Sequence, residues 1–170
     1  VVVVGKGREQ VEGAIAGRDV AIAVQAEQKG TGHAVQQGAP TLQQYSGPIL
    51  ILYGDTPFVE AATLTRMLDR LEGEDSPGVV VMGSCPADPA KYGRIILGEG
   101  DRIAKMVEYR DATEKEREVR LCNSGMMAVR APDLFRWLAE VKDDNAAGEF
   151  YLPDVVNIAA AEGREAVVIE

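Results

Sequence analysis

The chain has 170 residues, a hydrophobic fraction of 46% and a formal net charge of −9. That length predicts one domain with a real core, and the acidic balance excludes a DNA or RNA groove, which needs clustered Lys and Arg. No apolar run approaches the ~20 residues of a membrane span, and no secretory signal pattern is present, so neither nucleic acid nor membrane is an expected partner.

The elements follow in chain order. Val1–Val4 is a β-branched run bounded by Gly5 and Gly7, which predicts a buried strand. Residues 8–16 are weakly helical. Val20–Val24 reads as a second strand, and a helix is expected over His33–Gln44, interrupted at Pro40. Pro48–Tyr53 is a continuous apolar strand, as expected where both faces are covered. Thr63–Leu71 carries Leu64, Met67, Leu68 and Leu71 at helical spacing. Gly78–Met82 is another buried strand. Arg94–Leu97 and Ile103–Val107 flank a Gly-Glu-Gly-Asp turn and predict a hairpin. Asp111–Arg117 reads as a short exposed helix, and the charge run Glu114–Arg120 as a solvated face. Val119–Val129 has strand-like ends around Asn123-Ser-Gly125. Leu134–Val141 and Leu152–Ala161 are helical, and Val167–Glu170 is a last strand. The chain opens on Val1 without Met and stops inside that strand, so both ends read as cut. The alternation of strands and helices predicts an α/β, Rossmann-like fold. Its sheet is expected to be mixed and mostly parallel, flanked by helices, with a β-hairpin insertion in the second half. Residues 1–85 read as one half and 86–170 as the other. Cys85 and Cys122, far apart and without C-x-x-C spacing, read as free thiols in a reducing cytoplasm.

Three stretches carry candidate chemistry. Asp55 lies just past the carboxyl end of Pro48–Tyr53, where open α/β sheets bind their ligands. It either holds Mg²⁺, which often takes only one or two protein carboxylates, or caps the following turn. The turn from Gln25 to His33 holds Gly30, Thr31 and Gly32. Its glycines admit either a ligand or another backbone, and Gln25 offers an amide suited to a base edge. No Walker loop is present. His33, the one histidine, reads as a hydrogen-bonded residue at a helix start rather than a base or metal ligand. Gly93, Glu108 and Asn123 form a set suited to sugar hydroxyls and an acetamido group, although each also has a plain structural reading as a turn or surface residue.

Taken together, Gln25–Ala34, Tyr53–Pro57, Tyr92–Ile95, Val107–Thr113, Asn123–Gly125 and Asn145–Asp154 resemble one family over nearly the whole chain. It is the uridylyltransferase domain of the bacterial bifunctional N-acetylglucosamine-1-phosphate uridylyltransferase / glucosamine-1-phosphate N-acetyltransferases. The resemblance implies uridylyl transfer from UTP to N-acetylglucosamine 1-phosphate, giving UDP-N-acetylglucosamine and pyrophosphate for cell-wall precursors. It implies that Gln25 reads uracil, that Gly30 and Thr31 line the nucleotide pocket, and that Asp55 holds Mg²⁺. Gly93, Glu108 and Asn123 then contact the sugar, with Tyr53 and Gly54 beside them. It implies a cytoplasmic enzyme, trimeric through a β-helix domain that these residues do not contain. The family's opening glycine-rich loop and its second Mg²⁺ ligand, an asparagine, also lie outside the matched stretches, so little turnover is expected of the 170 residues alone. Two alternatives stay open: an inactive module that only binds nucleotide-sugar, and a nucleotidyltransferase of neighbouring specificity.

Overall fold

The computed structural model describes all residues 1–170. The strands are β1 (Val2–Val4), β2 (Ile22–Val24), β3 (Pro48–Ile51), β4 (Val79–Ser84), β5 (Arg94–Leu97), β6 (Ile103–Val107), β7 (Cys122–Arg130) and β8 (Ala166–Ile169). The helices are α1 (Arg8–Ala14), α2 (Thr31–Gln36), α3 (Ala61–Glu72), α4 (Glu114–Arg117), α5 (Ala131–Leu138) and α6 (Asp154–Ala161). The helix expected over 33–44 is two pieces: α2 and a 3-10 turn, Ala39–Leu42, which places Pro40 in its first positions. Proline lacks the N–H that an α-helix interior needs, so the α-helix stops before it.

Six strands form the main sheet in the order β6-β5-β7-β4-β8, with β3 on β7. Strand β7 is long enough to pair antiparallel with β4 along its length, with β3 at its carboxyl end and with β5 at Cys122. The sheet is mixed, as expected, and β3, β4, β5 and β8 run one way against β6 and β7. Only β4 and β8 pair parallel within it, however, because β7 returns between β3 and β4. The expected predominance of parallel pairing is therefore corrected. The expected hairpin is present as β5–β6.

Side chains alternate across a strand, so a strand covered on both faces is apolar throughout. Val79 and Val81 of β4 and Met127 and Val129 of β7 point into one core, closed by Leu134, Trp137 and Leu138 of α5 and Val155 and Ala159 of α6. Val80, Met82, Met126 and Ala128 point into the other, closed by Met67 and Leu71 of α3, both with no exposed surface. The helical spacing read in Thr63–Leu71 is thus the buried stripe of α3.

Strands β1 and β2 pair parallel in a separate two-stranded sheet. Val1–Val4 is not the buried strand expected: only Val4 is buried, while Val1 and Val3 are exposed. Val1–Val4 and Ile49–Leu52 border a cavity of about 790 Å³, lined mostly by apolar side chains.

Candidate functional site

The polar wall of that cavity carries Gln25, Thr31, Tyr53, Gly54 and Asp55, five of the residues nominated from sequence. Gly30 is not among them. The turn Tyr53–Thr56 is closed by the Thr56 N–H and hydroxyl, both donating to the Tyr53 carbonyl. Asp55 is exposed within it. It does not cap the next helix, which begins at Ala61 with Glu60 as N-cap. Its carboxylate makes neither a salt bridge nor a side-chain hydrogen bond, and no cluster of three or more metal-ligating side chains surrounds it. One uncommitted carboxylate on a cavity wall fits a cation that completes its shell with water and phosphate oxygens, and it does not fit an all-protein cage.

The glycine turn has a different cause from the one sequence suggests. Gly30 has φ 106° and ψ 173°, a conformation open essentially to glycine alone. A Cβ on Gly30 would lie 2.6 Å from the Phe150 carbonyl oxygen. The Phe150 N–H donates to the Lys29 carbonyl, and the Gly32 N–H donates to the Phe150 carbonyl, both at 2.8 Å. The Leu152 N–H donates to the Thr31 hydroxyl at 3.0 Å. Of the two openings the sequence left, a ligand or a backbone, the backbone of residues 149–152 takes this one.

Gly93, Glu108 and Asn123 come together although they sit on three segments. The Asn123 N–H donates to the Gly93 carbonyl at 3.0 Å. A Cβ on Gly93 would stand 3.2 Å from Glu108 Oε1, so that carboxylate rests against the Gly93 backbone. The Asn123 side-chain oxygen accepts the Gly125 N–H at 2.9 Å, which leaves the amide nitrogen as a donor. Gly125 has φ +89°, and a Cβ there would sit 2.5 Å from the Tyr53 ring. The Tyr53 ring therefore packs on Gly125 of β7, two residues along from Asn123, while Tyr53 also lines the cavity that holds Asp55. Burial pushes the Tyr53 hydroxyl up, and the charges of Glu108 and Asp55 add to it.

A smaller pocket of about 290 Å³ opens beside Glu108, lined also by Lys91, Tyr109, Arg110, Glu149 and Tyr151. Burial raises the Glu108 carboxyl above its ordinary value, helped by the nearby charges of Asp154, Asp111 and Glu149. Burial likewise raises Asp154. Helix α6 is fastened there by Asn157, whose amide accepts the Met106 N–H and donates to the Met106 carbonyl, both at 3.0 Å.

Two features escaped the sequence reading. Arg94 is only 2% exposed and bonds no carboxylate. Its guanidinium donates to the carbonyls of Ala90 (3.2 Å), Tyr92 and Arg117 (3.3 Å). It thereby ties down the loop that ends at Gly93. Arg94 and Arg117 both lie near the Tyr109 ring, at 5.6 and 4.7 Å. The charge run Glu114–Arg120 is mostly exposed, as expected, and its helix α4 buries no residue. Thr113 and Glu116 form a capping box, and Lys105 bonds Glu116 at 2.6 Å. The second feature is the strap 149–152, which touches both the glycine turn and the pocket beside Glu108. A turn-forming Asn145 precedes it, with its side chain bonded to the backbone of Ala147 and Glu149.

The site thus has two lobes joined by Tyr53. The nominated residues include no nucleophile and base in contact, so the arrangement suits holding and orienting a two-part ligand. A family model for the MobA-like NTP transferase domain matches residues 1–146. The chain belongs to this nucleotidyltransferase family. As a member of it, the chain is 58% identical over 170 residues to the bifunctional protein GlmU of Sphingopyxis alaskensis. It is 56% identical over 170 residues to that of Rhizorhabdus wittichii, and 57% over 169 to that of Novosphingobium aromaticivorans. These alignments cover 99–100% of this chain, which spans only 37–38% of the length of those relatives. The nucleotidyltransferase fold extends to distant structures. A UDP-glucose pyrophosphorylase complexed with UDP-glucose superposes with a TM-score of 0.73 at 21% identity, covering 98% of this chain and 70% of that one. The inositol-1-phosphate CTP transferase of T. maritima gives 0.70 at 18% identity, covering 99% and 64%.

Proposed function

We propose that this domain transfers uridylyl from UTP to N-acetylglucosamine 1-phosphate, releasing pyrophosphate and forming UDP-N-acetylglucosamine. The observation that carries the reading is 56–58% identity along the whole chain to GlmU proteins. The proximity of Gly93, Glu108 and Asn123 supports it. In this reading residues 1–85 bind the nucleotide and 86–170 the sugar. Gln25 meets the uracil, with Gly30 and Thr31 shaping the turn beside it. The half-buried Glu108 carboxylate accepts from sugar hydroxyls, and the Asn123 amide nitrogen donates to the acetamido carbonyl. Gly93 offers its N–H to the same ring, and Tyr53 and Gly54 close the passage between the lobes. Asp55 would hold Mg²⁺, which supplies charge neutralisation on the phosphates.

The sugar phosphate oxygen attacks the α-phosphorus of UTP in line, and the bond to the pyrophosphate oxygen breaks. No covalent bond to the protein forms. The side chains therefore act by positioning, which suits a site without an activated nucleophile. The reaction belongs to the cytoplasm, where its phosphorylated substrates are, and the whole protein is proposed to be a trimer. Pyrophosphate release by the whole protein in the presence of UTP tests the reading. N-acetylglucosamine 1-phosphate is expected to be used well ahead of glucose 1-phosphate, and Asp55→Asn to suppress release. Equal use of both sugars, or release indifferent to Asp55→Asn, overturns it.

A further inference from the structure

The chain's one histidine stands beside Gln25, and the geometry fixes which way that amide faces. The Gln25 amide nitrogen donates to the Gly30 carbonyl at 3.0 Å. It lies 3.1 Å from His33 Nδ1. A backbone carbonyl can only accept, so the nitrogen of the amide, not its oxygen, must face Gly30. The second hydrogen of that nitrogen points to His33, and Nδ1 must therefore be the unprotonated ring nitrogen. The imidazole is itself fixed. Its residue sits in the first turn of α2, its carbonyl accepts from the Gln37 side chain at 2.9 Å, and its ring lies 6.2 Å from that of Phe150.

With both amide hydrogens engaged, the Gln25 side-chain oxygen is what remains. It has no partner within the chain, and no buried side-chain oxygen or nitrogen is left unpartnered. It is therefore accessible to solvent, on a residue that lines the cavity. A fixed acceptor there distinguishes two pyrimidines. Uracil presents an N–H at ring position 3 beside a carbonyl at position 4. Cytosine presents a lone pair at position 3 beside an amino group. A rotated amide would reverse the preference.

We propose that His33 is a positioning residue that holds the Gln25 amide oxygen toward the cavity and so makes this turn select uracil over cytosine. The inference rests on the reading that Gln25 meets the base. His33 touches neither base nor phosphate in it. It acts as the second of two acceptors that hold the amide, Gly30 being the first.

The test is calorimetric titration of UTP and of CTP into the protein, its His33→Phe variant and its His33→Asn variant, with the melting temperature of each. Phenylalanine keeps a ring and removes the acceptor. Asparagine places a carbonyl oxygen near the position of Nδ1. The ratio of UTP to CTP affinity is expected to fall about 3- to 10-fold in His33→Phe, as for the loss of one hydrogen bond. It is expected to return toward the parent value in His33→Asn. A parent-like ratio in His33→Phe overturns the inference alone. So does an equal weakening of both nucleotides in both variants with parallel loss of melting temperature, since that is a purely structural role. A folded His33→Asn variant that loses the ratio also counts against it. Should the parent protein itself show no preference between UTP and CTP, the assignment of Gln25 to the base fails, and this inference fails with it.

Discussion

Replacing Gly30 by alanine tests the claim that the turn is shaped by the strap 149–152. The backbone at Gly30, at φ 106° and ψ 173°, is one that other residues enter at a cost of about 1–3 kcal/mol. The added Cβ would meet the Phe150 carbonyl oxygen at 2.6 Å and its nitrogen at 2.9 Å, and backbone cannot swing aside as a side chain can. The strap must therefore separate from the turn. Its two 2.8 Å hydrogen bonds, Phe150 to Lys29 and Gly32 to Phe150, lengthen. Each contributes about 0.5–1.5 kcal/mol. A loss of about 2–6 kcal/mol overall follows, or a melting temperature lower by about 4–24 °C in a domain of this size. Trp137, the single and fully buried tryptophan, reports unfolding by its fluorescence. Amide exchange at Gly32, Phe150 and Leu152 reports the local opening. A melting temperature within about 2 °C of the parent, with those amides still protected, would refute the reasoning.

Removing Arg94 acts on the second lobe. Arg94→Met leaves the carbonyls of Ala90, Tyr92 and Arg117 without their donor, and a loss of about 3 kcal/mol or more is expected in urea titration. Arg94→Lys recovers only part of it, because a compact ammonium does not span the acceptors of a guanidinium fork. At Glu108 the folded protein holds a proton more tightly than the unfolded chain, since burial and the neighbouring carboxylates raise its pKa. Its contribution to stability therefore falls as pH rises from the unfolded value, about 4.3, through the raised folded one. Glu108→Gln is expected to raise the melting temperature at neutral pH, with the gain disappearing below about pH 4. A gain independent of pH contradicts that account. Glu116 behaves the opposite way. The Lys105 hydrogen bond, with help from Thr113, lowers its pKa to about 2. Its contribution is present above the unfolded value and is lost as pH falls toward that number, so Glu116→Gln should flatten acid lability in melts across that interval.

Most elements were legible in the sequence because local signals suffice for them. Val79–Met82 and Pro48–Ile51 are apolar throughout, as strands inside a covered sheet are, and Met67 and Leu71 mark one side of a helix. Pairing was not legible. Nothing local to Cys122–Arg130 says that it will lie between β3 and β4, and its Gly125, at φ +89°, made one long strand look like two strand ends around a turn. At the site, Gly93, Glu108 and Asn123 could be grouped in sequence only by chemical type and by the family resemblance, and the structure makes them neighbours. The role of Gly30 was ambiguous in sequence for a physical reason. A glycine that admits a ligand and one that admits a distant backbone look alike until Phe150 is brought beside it. Arg94 left no signal, since a buried arginine satisfied by carbonyls is indistinguishable in sequence from a surface one.

The most direct measurement is amide nuclear magnetic resonance during titration with UDP-N-acetylglucosamine. The account predicts saturation at one ligand per chain, with the amides of residues 29–31 and those of Gly93, Glu108 and Asn123 shifting together along one binding curve. Shifts confined to one cluster, two separate curves, or no saturable binding would contradict a single site built from both lobes.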